Sequence, residues 1–378
     1  MPQPSPTANL RDLLSRPEIL VMPCCFDALS ARLIERTGFP LAFMDGFAVT
    51  LARLGLPDGS LISYGEMVDN GRDICSAVSI PVIGDGGDGH GNAMNVKRTV
   101  HGYAAAGFAG IVIGDRSAVK SNGGAPVHSV VDRNEALIRL RAACDARDEG
   151  AGIVIVARTD AGSGEDFDEA LWRARTFVDQ GADVVYLGTP CSDADLERFC
   201  AQVPVAKMVS MTGHDDAANA ALDRLQAMGV KLAVDPLTPM TAAAGAMERA
   251  LTALKERRPV IGAMEAARLE DIAGLRRYVE IESGYVAENG VLVGTPPTAE
   301  TTPYGRAIRR PRSTESEEPK STPGHWIVGA LFAIIGVFSL YLASKAEDQV
   351  MYAGGIVFFV ASVLFIFWLI TMVTGSKR

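Results

Sequence analysis

The sequence predicts a closed (β/α)8 barrel followed by a linker and a pair of membrane-spanning helices. Three observations lead there. Eight short apolar runs rich in Val and Ile alternate with segments of helical period between residues 18 and 257. The first run leads into Pro-Cys-Cys-Phe-Asp-Ala, with no glycine fingerprint. Two uncharged apolar stretches close the chain.

The runs lie at 19–23, 41–46, 80–84, 110–115, 152–158, 183–188, 205–209 and 230–234. Nearly continuous apolar strands are what a parallel sheet covered on both faces requires. Amphipathic segments at 27–37, 64–78, 135–147, 167–180 and 217–228 supply the crossovers. Eight such units fit a closed barrel better than an open sheet. A doubly wound dinucleotide fold would place a glycine-rich turn after its first strand.

Residues 1–294 form the barrel unit, with 258–294 read as further helix and loop. Residues 295–324, rich in Pro, Thr, Ser and charge, have a linker composition with no capacity to form a core. In 325–378 the uncharged stretches 326–343 and 350–374 approach or exceed the roughly 20 residues that cross a bilayer. Gly329, Ala333 and Gly336 offer a packing seam in the first. Arg306, Arg309, Arg310, Arg312 and Lys320 precede this hairpin, and Lys377 and Arg378 follow it. The connecting loop carries Glu347 and Asp348 against Lys345. The positive-inside rule then expects the barrel and both termini on the cytoplasmic side, at the inner or plasma membrane of a bacterium. The competing reading is a buried soluble helical hairpin.

The 45 acidic residues outnumber the 36 basic ones, which argues against a nucleic-acid binder. Cys24, Cys25, Cys75, Cys144, Cys191 and Cys200 include no CxxC pair, so they read as reduced, mostly buried thiols rather than zinc ligands. The N-terminus has no apolar segment of the secretory kind.

In a barrel of this kind the working residues follow the strands, at the C-terminal face. The strand ends read Phe-Asp-Ala-Leu-Ser-Ala-Arg-Leu after the first, Gly-Leu-Pro-Asp after the second, and Gly-Asp-Gly-Gly-Asp-Gly-His-Gly-Asn after the third. The fifth ends Ala-Arg-Thr-Asp-Ala, and Gln-Gly-Ala-Asp-Val-Val-Tyr-Leu-Gly leads through the sixth. This order resembles the isocitrate lyase/phosphoenolpyruvate mutase superfamily over about residues 15–257. The resemblance implies an enzyme that makes or breaks a C–C or P–C bond beside a 2-oxo acid carboxylate. It also implies Mg2+ as the cation on the oxo acid, and a tetramer that exchanges a C-terminal helix.

By that resemblance Asp85 is the direct metal ligand, and Asp58 holds metal-bound water. Arg158 binds the substrate carboxylate, and Lys120 opens a mobile gating loop. Each has a bland alternative: Asp58 as a helix N-cap, Arg158 as half of a structural ion pair, Lys120 as a solvated loop residue. The departures are extensive. The second aspartate of the metal loop is Gly87, with Asp88 one position late. The fourth strand ends Gly114-Asp115 where a Glu-Asp pair is usual, and the second ends Asp45-Gly46 where a Ser-Gly pair binds the carboxylate. Gly188 and Thr189 stand at the sixth strand's end, and Lys207 and Ser210 on the seventh. The gating loop reads Lys120-Ser121-Asn122-Gly123-Gly124 where lyases carry a catalytic cysteine. Asn122 resembles the mutase branch, whose asparagine binds the transferring phosphoryl group, or is a turn residue. His90, His128 and His214 follow strand ends as acid/base candidates or solvated side chains, and His101 reads as structural.

Two functions stay open. One is a Mg2+-dependent enzyme on a small 2-oxo acid or phosphonate, held at a membrane. The other is a barrel without catalysis, serving a membrane complex as an accessory subunit.

Overall fold

The computed structural model describes residues 5–58, 61–117, 120–122, 125–127, 129–162, 167–211, 216–283, 287–288, 291–292, 335, 337–339, 341, 344–345 and 349–374. The chain divides into two units, Met1–Ala307 and Ile308–Arg378.

In the first unit the described strands are β1 (Leu20–Cys25), β2 (Ala42–Met44), β3 (Val82–Asp85), β4 (Gly110–Gly114), β5 (Lys120–Asn122), β6 (Ala125–Val127), β7 (Val154–Thr159), β8 (Val184–Leu187), β9 (Ala206–Ser210), β10 (Leu232–Asp235), β11 (Ala287–Glu288) and β12 (Val291–Leu292). Eight of them close a barrel in the order β1-β10-β9-β8-β7-β4-β3-β2, with parallel pairing throughout. These are the eight predicted runs, displaced at their ends by two residues or fewer. The others form two antiparallel pairs, β5 with β6 in the loop after β4 and β11 with β12 beyond the barrel.

Alternation along the strands sorts side chains into two cores. Met22, Cys24, Phe43, Ile83, Val112, Val156, Tyr186, Met208 and Val234 fill the barrel interior. Met44, Ile111, Ile155, Val185 and Leu187 point outward into the shell of helices. Burying such a side chain fully contributes roughly 1.5–3 kcal/mol. The helix Pro6–Ser15 adds Leu10 and Leu13 to the interior core. Leu10 packs against Gly110, at the start of β4, and so closes the N-terminal mouth. The opposite mouth, where the strands end, stays open.

The six cysteines are free, and four of them are buried. The helices Ala266–Ala273 and Leu275–Ser283 occupy the region read as helix and loop.

The predicted pair of membrane spans is not supported. Among the described residues no helix is long and apolar enough to cross a membrane. A helix, Gln349–Thr374, does form over the second predicted stretch. Its side chains beyond 365, and most of the stretch 326–343, lie outside the described residues.

Candidate active site

The open mouth holds a cavity of about 560 Å3. Gly46, Asp58, Asp85, Gly87, Asp88, His90, Gly114, Arg116, Arg158 and Asp160 all line it. The barrel thus brings together four of the sequence-predicted carboxylate- and metal-site residues with Arg158, as the strand ends implied.

On the β7 side the construction is dense. Arg158 sits one residue before the end of β7 and lies over the Tyr186 ring, with its guanidinium carbon 4.9 Å from the centroid. Its Nε and Nη2 donate to Asp160 Oδ2 and Oδ1, both at 2.8 Å. Burial alone would lower the pKa of Arg158, but Asp160, with Tyr186 and Asp85, more than offsets it, so the guanidinium stays charged. The structural ion pair foreseen as an alternative therefore exists, yet the same side chain also reaches the cavity. A β-carbon at Gly188 would lie 2.5 Å from Asp160 Oδ1 and 2.7 Å from Arg158 Nε. The loss of a larger residue at the sixth predicted strand's end thus makes room for this pair. Tyr186 in turn shares a hydrogen bond of 2.7 Å with Ser210. Lys207 turns away, donating to the carbonyls of Val203 and Val205.

Asp115 is structural. It accepts from Thr159 Oγ1, from the Asp160 amide and from Arg173 Nη1, and burial raises its pKa. It thereby fixes the Thr159–Asp160 turn that presents the ion pair.

On the β2–β4 side the construction is sparse. Asp85 ends β3; its Oδ1 accepts from the Gly87 amide at 2.9 Å. Its Oδ2 would lie 3.1 Å from a β-carbon at Gly46, so only glycine leaves it undisturbed there. Asp45 caps the helix Gly46–Leu54, accepting from the Ala48 amide at 2.8 Å. Burial, and then the neighbouring Asp85, push its carboxyl up to about 7. Asp45 is therefore substantially protonated at neutral pH, which relieves the repulsion expected beside a bound carboxylate. Asp88 accepts from the His90 amide at 2.9 Å. Asp58 caps neither flanking helix, since Asp45 and Ser63 do so.

At the two glycines where the resemblance led one to expect carboxylates, the space is open. A β-carbon at Gly87 would meet nothing within 4 Å, and one at Gly114 nothing closer than 3.6 Å. Among the described residues no group of three or more His, Cys, Asp or Glu gathers as a metal cluster. Mg2+ does not need one, because it is bound through one or two carboxylates and keeps several waters. Asp85, crowded by Asp45 beside unfilled space, fits a hydrated cation of that kind. The backbone of Lys120 and Asn122 lies in the β5–β6 hairpin, but their side chains are outside the described residues, as are His128 and His214. Burial pushes the Cys24 and Cys25 thiols up, so neither offers a ready thiolate.

The cavity also contains groups that reading strand ends did not single out. Asp160 lay inside the quoted Ala-Arg-Thr-Asp-Ala motif, and Arg116 follows the fourth strand's end directly. Charged residues within two positions of a strand end were the usable signal. His90 has φ of 59°, and burial lowers its pKa.

A family model described as phosphoenolpyruvate phosphomutase matches residues 10–255. The chain belongs to that family. It is 32% identical over 282 residues to 2,3-dimethylmalate lyase of Eubacterium barkeri, covering 74% of this chain and 97% of the relative. Among solved structures it resembles oxaloacetate acetylhydrolase with the inhibitor 3,3-difluorooxalacetate, at a TM-score of 0.69 and 28% identity, covering 75% of this chain and 98% of the other. It also resembles phosphonopyruvate hydrolase with oxalate and Mg2+, at a TM-score of 0.65 and 25% identity, covering 75% of this chain and all of the other. These family members act on small 2-oxo acids, phosphonates or related acids, as their names state.

Proposed function

We propose that the chain is a Mg2+-dependent enzyme acting on a small 2-oxo acid or phosphonate. The observation that carries this reading is that Arg158 and Asp85 line one cavity at the open mouth of the barrel. In this reading Arg158 takes the substrate carboxylate, as Asp160 holds its charged fork in place. Gly46 keeps Asp85 within reach of the cavity. Asp85 would hold the cation directly, and Asp58 and Asp88 would act through its waters. Mg2+, when bound, supplies Lewis-acid stabilisation of charge on the 2-oxo oxygen. By the resemblance, Lys120 would open the gating loop and Asn122 would bind the transferring group. The cysteine used by lyases of the superfamily is replaced by Asn122, so a thiol-dependent C–C cleavage is not part of this reading.

The test is turnover. The full chain is incubated with Mg2+ and with oxaloacetate, 2,3-dimethylmalate or phosphonopyruvate, and product release is followed by mass spectrometry. Turnover of one of these that disappears in Asp85→Asn is expected. No turnover with any, from folded protein, would favour the barrel without catalysis.

Attachment to the cytoplasmic face of a membrane belongs to the same reading. It is supported by the absence of charge between 350 and 374 and by exposed Val357, Phe358 and Leu364 on the helix there. Retention in the membrane fraction after alkaline carbonate washing is expected, and release into the wash would contradict it. Exposed Met247, Leu251, Leu254, Tyr278 and Val279 on the last helices of the first unit support a homo-oligomer.

A further inference from the structure

Among the described residues, two buried side-chain nitrogens lack a hydrogen-bond partner: Arg116 Nε and His90 Nε2. Both side chains line the cavity described above. A buried polar nitrogen without a partner is costly, and native structures rarely tolerate one without a functional reason. Two in one cavity point to a ligand that brings partners with it, and Arg116 Nε, always a donor, needs an acceptor.

Arg116 is the more telling of the two. Its guanidinium makes a single long contact among the described residues, from Nη2 to Asp160 Oδ1 at 3.5 Å. Asp160 gives its short bonds to Arg158 instead, at 2.8 Å each. The trio therefore carries two cations against one carboxylate, and Arg116 holds the charge that Asp160 does not neutralise. Arg173, by contrast, is tied to Asp115 and Glu169 and is not among the residues lining the cavity. Arg116 also has a fixed backbone: it bridges Val130, and its carbonyl accepts from Arg139 Nη1 at 2.9 Å. A guanidinium on an anchored backbone, with open donors in a cavity, is a receptor for a planar or tetrahedral oxyanion.

We propose that Arg116 anchors a second anionic group of the substrate, so that the cavity selects 2-oxo acids carrying a distal carboxylate or phosphonate. This rests on the 2-oxo acid reading above, in which Arg158 takes the first carboxylate. Arg158 has Nη1 left for that purpose, since its other two nitrogens are engaged by Asp160. With Asp58, Asp85 and Asp88 also on the wall, the distal anion is repelled from the carboxylate side and lodges at Arg116.

The experiment compares three ligands that share the 2-oxo acid moiety: pyruvate, 3,3-difluorooxalacetate and phosphonopyruvate. Each is titrated calorimetrically into the full chain with Mg2+, in wild type, Arg116→Gln and Arg116→Lys, with thermal melts as a folding control. In wild type at least one ligand with a distal anion binds about tenfold or more tighter than pyruvate, as a charge-assisted hydrogen bond provides. The stronger of the two identifies carboxylate or phosphonate as the natural group. R116Q abolishes that preference and leaves pyruvate affinity within about twofold, while R116K recovers part of it, because charge returns without the fork. Equal binding of all three ligands by wild type overturns the proposal and leaves the 2-oxo acid reading standing. So does an R116Q that weakens all three alike or changes none. Binding of no ligand by wild type overturns both.

Discussion

The two sides of the barrel mouth are built in opposite ways. Around β7 and β8 every charged group is over-determined: Arg158 lies on Tyr186 and is gripped by Asp160, whose turn is held by Asp115 and Arg173. Around β2 and β3, Asp45, Asp85 and Asp88 each accept from a nearby backbone amide, and a β-carbon at Gly87 or Gly114 would meet open space. An anion-binding half built this tightly has its geometry set before the ligand arrives, which is what orientation of a substrate requires. A cation-binding half built this loosely leaves metal affinity to water and to the substrate's own oxygens. The comparison teaches that hydrogen bonding is concentrated around the arginine and not around Asp85.

The comparison can be broken at its strong side. Arg158→Leu takes from Asp160, 4% exposed, both of its short bonds and leaves it the long 3.5 Å contact to Arg116. It is expected to lower stability by about 3–5 kcal/mol in urea unfolding and to abolish ligand binding. Stability unchanged within error would show that the pair is not what orders this side. Next in size is Gly188→Ala, whose methyl would intrude on the same pair. A cost of about 1–3 kcal/mol is expected, with weaker oxalate binding, and a neutral result would mean that the pair moves aside freely.

The weak side offers gains rather than losses. Gly114→Glu combined with Gly87→Asp puts two carboxylates into open space, although the φ of +56° at Gly87 strains any side chain by about 1–2 kcal/mol. Mg2+ affinity, read by calorimetry, is expected to rise about tenfold; no rise would place the metal elsewhere. Asp45 tests the same side through pH. Its carboxyl titrates at about 7 when folded, above its ordinary value of 3.8. Between those values the folded state binds more protons than the unfolded state, so stability falls as pH rises from about 4 to about 7 and then levels. Asp45→Asn keeps the helix cap and removes this dependence. It is expected to melt higher than wild type at pH 8 and not at pH 4, by up to about 4 kcal/mol. Parallel melting curves at both pH values would contradict the assignment.

The barrel was legible in the sequence because a buried parallel strand must be apolar along its whole length, and a run such as Ile111–Val112–Ile113 admits few other readings. Arg158 and Asp85 were legible because they terminate such runs. The role of Gly188 was not. Its place was read as the absence of an acid, whereas its meaning lies in two atoms of Arg158 and Asp160 that approach from another strand. Asp115 was likewise read only as the neighbour of a missing carboxylate, and its three partners come from elsewhere in the chain. Arg116 escaped because nothing local distinguishes an arginine that finds acceptors from one that does not. Such facts are non-local, and a one-dimensional pattern carries no record of them. The C-terminal stretches show the reverse: a clear apolar signal, over a region where only the helix Gln349–Thr374 can be compared with it.

The central claim is that this thinned site still binds a 2-oxo acid through Arg158 and a cation at Asp85. Oxalate, the ligand seen with Mg2+ in the related phosphonopyruvate hydrolase structure, tests it most directly. The full chain is titrated with oxalate with and without Mg2+, alongside Asp85→Asn. The account predicts saturable binding that requires Mg2+ and is lost in the variant. Binding that ignores both Mg2+ and Asp85, or no binding by folded protein, would contradict it.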